Sequence, residues 1–435
     1  MHADDGLTAT AGPALGASDA AELLSVVRWV HPHAGLTVLT AETTVLGRDP
    51  ALATRLTGEQ VSRRHAELRL RAGRVELVDL GSKNGCFVNG TRVTSAALAE
   101  NDVVRLGDCI GVVERVAPGG LPGFAELSPG LWGGAALRAV VERAKIAAKS
   151  SLNIVIVGDT GSGKERFARA IHAWSGRTGP FVAVNCANYT ASTAQAELFG
   201  YRKGAFTGAD RANLGHIRAA HQGTLLLDEM IDLPLDVQAK LLRALEQREV
   251  LALGETTPVG VDVQIVAAAQ APLTQAVVNG RFRADLCARL QGIAIQLPPL
   301  RERRADVLPL FKELLRAHGF ASPPTLDAAL AERLCLEPWP LNVRQLENVA
   351  RRAAAFYAGK PALPESAWAE IAPEDLTEVA HDAESEPRSH ANNYSAEEIA
   401  ALRAALAKNG NNLSKAASEL GITRGKAYRM LRSSQ

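Results

Sequence analysis

The sequence predicts a multidomain chain: a β-sandwich, then an α/β domain with a helical lid, then an all-α tail. Three observations predict it. Between Val26 and Val116, short β-like runs alternate with turns. From Ala135 to about Pro299, apolar strands alternate with helical stretches around a glycine-rich segment, Gly158 to Lys164. From Arg304 the pattern is helical, and it returns to helices at the C-terminal end after a proline-rich, acidic stretch.

Taken in order, residues 1–22 lack periodicity and read as a flexible leader. The sandwich, residues 23–116, is read from runs at 36–39, 66–70, 75–78, 103–106 and 110–113, whose length and even spacing suit sandwich strands. Proline and glycine cluster at 118–123 and 129–130, so residues 117–130 read as a linker. In residues 131–300 a helix-like run at 135–148 precedes the buried strand 153–157, and the alternation beyond it argues for a parallel sheet with helices on its faces. Residues 301–360 read as a small helical lid, interrupted at Pro338-Trp339-Pro340. Residues 361–393 collect proline, alanine and acids such as Glu365, Glu374, Asp375 and Glu384, and read as a partly disordered acidic linker. Residues 394–435 hold an amphipathic helix, then a helix, a turn at Gly421 and a second helix with Thr423 as its N-cap.

Lys plus Arg number 48 and Asp plus Glu 47, so the chain has no polyelectrolyte character and any nucleic-acid contact must come from a local patch. That patch lies at the end of the chain. From residue 391 on, Arg403, Lys408, Lys415, Arg424, Lys426, Arg429 and Arg432 face only Glu397, Glu398 and Glu419. The cysteines, Cys86, Cys109, Cys186, Cys287 and Cys335, are scattered, without a CxxC pair or a histidine at metal-ligand spacing, which fits reduced thiols in a cytoplasm. The first residues lack the basic start and apolar run of a signal peptide, and no apolar stretch approaches ~18 residues. A soluble, cytoplasmic protein without a membrane partner is expected.

Gly158-Asp159-Thr160-Gly161-Ser162-Gly163-Lys164 follows an apolar strand and opens a helix, the context in which a phosphate loop works. Backbone N–H groups converge on the phosphates, the helix N-terminus adds partial positive charge, and Lys164 neutralises the β and γ phosphates of ATP. Asp228, after three leucines at a strand end, is placed to hold Mg²⁺ through water, and Glu229 to orient the attacking water. Read alone, this pair could be a solvated strand terminus. Between the two halves lies Gly204-Ala205-Phe206-Thr207-Gly208-Ala209, whose glycines let the backbone turn tightly and leave Phe206 and Thr207 at the tip. By itself it reads as a glycine-rich hairpin.

Together with residues 197–203 the hexapeptide spells ELFGYRKGAFTGA, which resembles the loop by which bacterial enhancer-binding proteins, the AAA+ activators of sigma-54 RNA polymerase, touch the sigma factor. Glu165 supports that family, which places a glutamate where other phosphate-loop ATPases place the Ser or Thr that binds Mg²⁺. Asn185 matches the family asparagine that hydrogen-bonds the catalytic glutamate; on its own it reads equally as a turn asparagine. Residues 280–290 resemble the arginine-finger segment, which would aim Arg283 and Arg289 at the neighbouring subunit's site. Their plain reading is surface arginines paired with Asp285, preferred for Arg281. Residues 339–344 match the lid sensor, with Arg344 reaching the γ phosphate. Arginines supplied from a neighbour imply a ring, in this family a hexamer. Two positions depart from the pattern: Ala269-Gln270 replaces Thr-Asn after the sensor strand, and Leu341 replaces the glycine of the lid turn. Gln270 keeps an amide at longer reach, so slower hydrolysis with intact ATP binding is expected.

Three motifs in the first domain resemble the forkhead-associated domain: Leu46-Gly47-Arg48-Asp49, residues 61–66 and residues 79–90. The resemblance implies phosphothreonine recognition by Arg48, Ser62, Arg63, Arg64, Lys83 and Asn84, with His65 bracing the loops. Arg48 offers a forked charge, Ser62 a hydroxyl and Asn84 an amide. Alone, Arg48 reads as a strand-end surface arginine. The tail resembles a Fis-type helix-turn-helix, with Thr423, Arg424, Lys426 and Arg429 at DNA, against a plain reading as an oligomerisation helix. The whole resemblance implies a sigma-54-dependent activator that hydrolyses ATP to remodel the closed polymerase complex. Its partners would be the sigma-54 holoenzyme, enhancer DNA and a phosphothreonine-containing protein, a kinase or its substrate. The alternatives are a phosphothreonine- and DNA-binding adaptor with a degenerate ATPase, or an AAA+ remodeller of another protein.

Overall fold

A computed structural model describes residues 23–117, 121–150 and 152–372, with isolated helical positions at 402, 404, 405 and 408 and a turn at 420. By contacts the chain divides into two units, residues 1–374 and 375–435. The leader expected at 1–22 and the residues Thr423, Arg424, Lys426 and Arg429 lie outside the described residues.

Alternating apolar and polar side chains build the first domain as a sandwich. Its strands are β1 (Leu24–His31), β2 (Gly35–Val38), β3 (Thr43–Gly47), β4 (Thr54–Arg55), β5 (Ala66–Arg71), β6 (Arg74–Asp79), β7 (Cys86–Val88), β8 (Thr91–Val93), β9 (Ser95–Leu98), β10 (Val103–Leu106) and β11 (Cys109–Val116). One sheet runs β2-β1-β11-β10-β7-β8, the other β4-β3-β5-β6-β9. Leu46, Leu68, Leu77 and Leu106 are fully buried between them. Strands β10 and β11 are covered on both faces. Val104, Leu106 and Val113 point into the sandwich, while Val103, Ile110 and Val112 join the core of the helical lid. Burial on both faces explains why apolar residues stand side by side in these strands, Val103-Val104 in β10 and Val112-Val113 in β11.

The segment expected to be a linker at 117–130 contains structure. Strand β12 (Ala125–Ser128) pairs antiparallel with β13 (Leu131–Gly133). Leu131 is buried with Leu137 and Val141 of α1 (Ala135–Ala148), which gives the hairpin an apolar seat.

The α/β domain continues with β14 (Ile154–Val157), α2 (Lys164–Ser175), β15 (Phe181–Asn185), α3 (Ala191–Phe199), α4 (His216–Ala219), β16 (Thr224–Asp228), α5 (Leu235–Gln247), β17 (Glu249–Val250), β18 (Val259–Gly260), β19 (Gln264–Ala269), α6 (Leu273–Val278), α7 (Ala284–Leu290) and β20 (Ile293–Gln296). Its sheet is parallel, in the order β15-β16-β19-β14-β20. Every residue of β14 and β19 is buried, as helices on both faces require. The carboxyl ends of the strands collect Val157, Asn185, Asp228 and Ala269 at one edge, where open parallel sheets bind ligands.

The lid holds α8 (Val307–Ala317), β21 (Thr325–Leu326), α9 (Ala328–Leu336), α10 (Asn342–Tyr357), β22 (Ala362–Leu363) and α11 (Trp368–Ile371). Trp339, between two prolines, is completely buried and donates its indole N–H to the Leu334 carbonyl at 3.0 Å. The break in the helical pattern is therefore an anchored corner. Residues 361–372, expected in the acidic linker, belong to the lid: β22 pairs with β21, and Leu363, Ala367, Trp368 and Ile371 are buried in its core. Among the described residues no helix is long and apolar enough to cross a membrane.

Candidate nucleotide site

Strand β14 ends at Val157 and the chain turns through residues 158–163 into α2. Lys164, first residue of that helix, is only 7% exposed, and its ammonium donates to the carbonyls of Gly158 at 2.9 Å and Asp159 at 3.4 Å. The N-cap of α2 is Gly163, which offers no side-chain cap. The first amides of the helix thus point outward with its partial positive charge, as an anion site requires. The hydroxyl of Ser162, buried in the same loop, has no hydrogen-bond partner. A buried cation, uncapped amides and an orphaned hydroxyl fit a phosphate chain.

Lid and loop meet directly. Gly161 has φ +73°, and a Cβ there would lie 2.1 Å from the Leu341 carbonyl oxygen, so both the turn and the close approach demand glycine. The Val343 N–H donates to the Gly161 carbonyl at 3.1 Å. Asn342, fully buried, donates to the Thr160 carbonyl at 3.0 Å and accepts from the Leu300 N–H at 2.7 Å. Exposed Arg344 is thereby brought alongside the loop, its Cβ 3.0 Å from where a Gly161 side chain would start. Arg301 pairs with Asp159 at 2.7 Å.

Asp228 ends β16, with only β19 between it and the loop strand β14. Burial pushes its carboxyl above the usual range, and the Lys164 ammonium pulls the other way. A carboxylate short of solvation gains from a cation, which fits water-mediated Mg²⁺. Glu229 follows in a left-handed conformation, φ +51°, with its N–H bonded to the Asp228 carboxylate at 3.0 Å. A non-glycine residue held there marks an over-determined site. Gln270 donates its amide to the Glu229 carboxylate at 3.1 Å. The Ala269 carbonyl accepts from the Gly158 N–H at 3.1 Å, tying the end of β19 to the loop.

Other expected residues take different partners. Asn185 lies opposite Asp228 in the sheet register, but its side chain accepts from the Ala187 N–H at 3.0 Å and caps the turn that follows. The amide reaching Glu229 is that of Gln270. Glu165 pairs with Arg169 one helical turn on, at 2.8 Å. Arg283 is held by Asp285 at 2.7 Å, and this bond keeps the Asp285 carboxyl below the usual range. Arg281, expected to pair with Asp285, bonds Asp232 at 2.8 Å because Arg283 already occupies Asp285. Arg289 donates to the Leu245 carbonyl at 3.3 Å.

The hexapeptide closes on itself. The Gly204 N–H donates to the Ala209 carbonyl at 2.9 Å, with Gly204 at φ +78° and Gly208 at φ +94°. Phe206 is 46% exposed and rests on the Tyr201 ring, centroids 4.9 Å apart; Thr207 is exposed beside it.

At one end of the sandwich, Arg48, Arg63 and Arg64 are exposed, and Arg48 and Arg63 line a cavity of about 550 Å³. Ser62 accepts from the Lys83 N–H at 3.1 Å, and Asn84 donates to the Gln60 carbonyl at 2.7 Å. His65 is completely buried: Nδ1 accepts from the Ser62 N–H at 3.0 Å, so Nε2 carries the proton toward the Gly85 carbonyl, also 3.0 Å away. Burial lowers its pKa and keeps it a neutral brace between two loops.

Sequence reading missed the Gln270–Glu229 bond and the roles of Arg301 and Asn342. Asn342 had one legible signal, an asparagine after a Trp-Pro-Leu corner; its φ of +52° is the conformation asparagine tolerates best among non-glycine residues.

Comparison with known proteins gives four matches in chain order. Residues 44–107 match the FHA domain, 133–296 the sigma-54 interaction domain, 301–392 the AAA+ ATPase lid domain and 396–429 the bacterial regulatory protein, Fis family. The sigma-54-dependent transcriptional activator SfnR of Pseudomonas putida is 45% identical over 217 residues, 49% of this chain and 59% of that protein. HrpR, a probable pathogenicity-locus regulatory protein of Pseudomonas syringae pv. syringae, is 45% identical over 222 residues, 50% of this chain and 71% of that protein. NtrX of Brucella abortus, crystallised with ATP, is 30% identical, with 72% of this chain and 68% of that one covered at a TM-score of 0.50. The chain thus spans from half to about seven-tenths of the length of relatives it matches.

Proposed function

This chain belongs to the family of sigma-54-dependent transcriptional activators, and we propose that it hydrolyses ATP to remodel a closed complex of sigma-54 RNA polymerase. A phosphothreonine peptide at the sandwich would govern it, and residues 394–435 would direct it to enhancer DNA in the cytoplasm. One observation carries the reading: Lys164, Asp228 and the Gln270-held Glu229 meet at one sheet edge, and the half-exposed Phe206 turn lies in the chain segment that connects strands β15 and β16 of that sheet.

In this reading Lys164 and the first amides of α2 bind the phosphates, and Arg344 meets the γ phosphate from the lid. Asp228 would hold Mg²⁺ through water, and the ion would supply charge neutralisation on the phosphate oxygens. Glu229, oriented by Gln270, positions the attacking water. Gln270 at 3.1 Å supports turnover over a degenerate site, since the amide needed at Glu229 is delivered despite the Ala269-Gln270 departure. Arg283 and Arg289 serve a neighbouring subunit in a hexameric ring, which requires Arg283 to leave Asp285 on assembly; an exposed pair of this kind costs little to break.

In the full chain Glu229→Gln is expected to keep ATP binding while hydrolysis falls by about a hundredfold. Thr207→Ala should keep hydrolysis and lose open-complex formation with sigma-54 polymerase. Absence of hydrolysis by the unmodified protein at saturating ATP would sink the proposal.

A further inference from the structure

We infer that the sandwich domain positions the phosphate loop through Asn101 and Arg301, so that nucleotide affinity in the ATPase depends on a side chain of the phosphopeptide-reading domain. The inference rests on the nucleotide site proposed above.

Asn101 sits in the turn between β9 and β10 with φ +70°, a conformation only glycine and asparagine adopt readily. Its side chain grips the strap that joins the α/β domain to the lid. The amide Nδ2 donates to the Arg301 carbonyl, and Oδ1 accepts from the Arg304 N–H at 3.2 Å. The Asn101 carbonyl accepts from the Arg304 guanidinium at 3.3 Å. On its far side the same strap is held by Asn342, which takes the Leu300 N–H and donates to Thr160 of the loop. Clamped between these two asparagines, Arg301 extends its guanidinium to the Asp159 carboxylate at 2.7 Å.

The pair has a specific electrostatic use. Asp159 lies within the loop that receives the phosphates, where an unpaired carboxylate would repel them. Arg301 neutralises it. Asp159 and Arg301 side chains are 38% and 42% exposed, so the pair is worth little by mutual attraction alone, and its value depends on the guanidinium being held in place. Asn101 supplies that hold from another domain.

The docking that delivers Asn101 is substantial. Val103, Ile110 and Val112 are buried in the lid core, and Arg105 pairs with Glu332 at 2.7 Å, both mostly buried. The contact is also compatible with peptide capture. Strand β10 runs from the Asn101 turn to Asp108, whose carboxylate accepts from the Glu59 and Gln60 N–H groups at 2.9 and 3.1 Å in the loop leading to Ser62. The phosphate-reading loops therefore lie at the opposite end of the strand from the latch. Asn101 and Arg301 are positioning residues, linked to the reaction through Asp159.

The test is a double-mutant cycle on the full chain, read by calorimetric titration with ADP. Asn101→Gly removes the amide without placing a Cβ at positive φ. Asn101→Asp keeps the acceptor for Arg304 and loses the donor to Arg301. Each should weaken ADP binding about threefold and Arg301→Ala roughly fivefold, while Asn101→Gly adds nothing in the Arg301→Ala background. Unchanged ADP affinity in both Asn101 variants, or an equal loss with and without Arg301, overturns the link while leaving the nucleotide site standing. Failure of the unmodified chain to bind ADP overturns both.

Discussion

The molecule has two candidate phosphate sites, and they are made in opposite ways. At the phosphate loop the cation is buried: Lys164 is 7% exposed, bonded to backbone carbonyls, and backed by helix amides and a neutralised Asp159. At the open end of the sandwich the cations Arg48 and Arg63 stand exposed around a wide cavity with Arg64 exposed nearby in sequence, while the buried residue, His65, is held neutral. The first arrangement fixes the geometry that chemistry at a γ phosphate demands. The second offers exposed forked donors of the kind that suit a phosphate on a flexible peptide, the ligand proposed above.

Removing the central cation should separate the two most sharply. Lys164→Ala is expected to weaken ADP binding at least about thirtyfold, because a desolvated charge is lost. Arg48→Ala should lower phosphothreonine-peptide affinity about tenfold, measured by fluorescence anisotropy. Raising salt from 50 to 300 mM should, by screening, weaken the peptide further while moving ADP affinity far less. Equal salt sensitivity at both sites would break the comparison. A smaller effect is expected at Gln270: Gln270→Ala should slow hydrolysis about fivefold, since its amide holds the Glu229 carboxylate.

The smallest effect concerns the join between the two halves. Asp306, almost fully buried against Arg303 and accepting the Gly134 N–H at 2.8 Å, has its pKa pushed up to about 6 by burial. Because the folded value exceeds the ordinary 3.8, its contribution is fully present below about 3.8 and is lost as pH rises through about 6. The melting temperature of Asp306→Asn relative to the unmodified chain should therefore rise by a few degrees between pH 4 and 7. A flat difference across that range would show that the Arg303 charge already holds Asp306 ionised.

What could be read in advance was what short-range pattern controls. The apolar runs at β2, β5, β6, β10 and β11 were visible; β7 and β8 were not, since three-residue strands carry no measurable period. Proline-rich composition concealed the hairpin at 125–133 and the end of the lid at 361–372, where Leu131, Leu363 and Trp368 supply the burial. The nucleotide site was legible through Lys164, Asp228 and Glu229, whose chemistry sits in contiguous motifs. The contacts that tune it join residues far apart: Arg301 to Asp159 spans 142 positions and Asn101 to Arg301 spans 200. For Asn185 the sequence offered two readings, a partner of Glu229 by resemblance and a turn asparagine by itself, and its side chain takes the Ala187 N–H of the turn.

The missing side chain at Gly161 has a practical consequence. With the Leu341 carbonyl 2.1 Å from where a Cβ would stand, a single methyl group there acts as a doorstop. Gly161→Ala would strain the phosphate loop at φ +73° and wedge it off the Leu341 corner in the same stroke, loosening the two walls of the nucleotide site together.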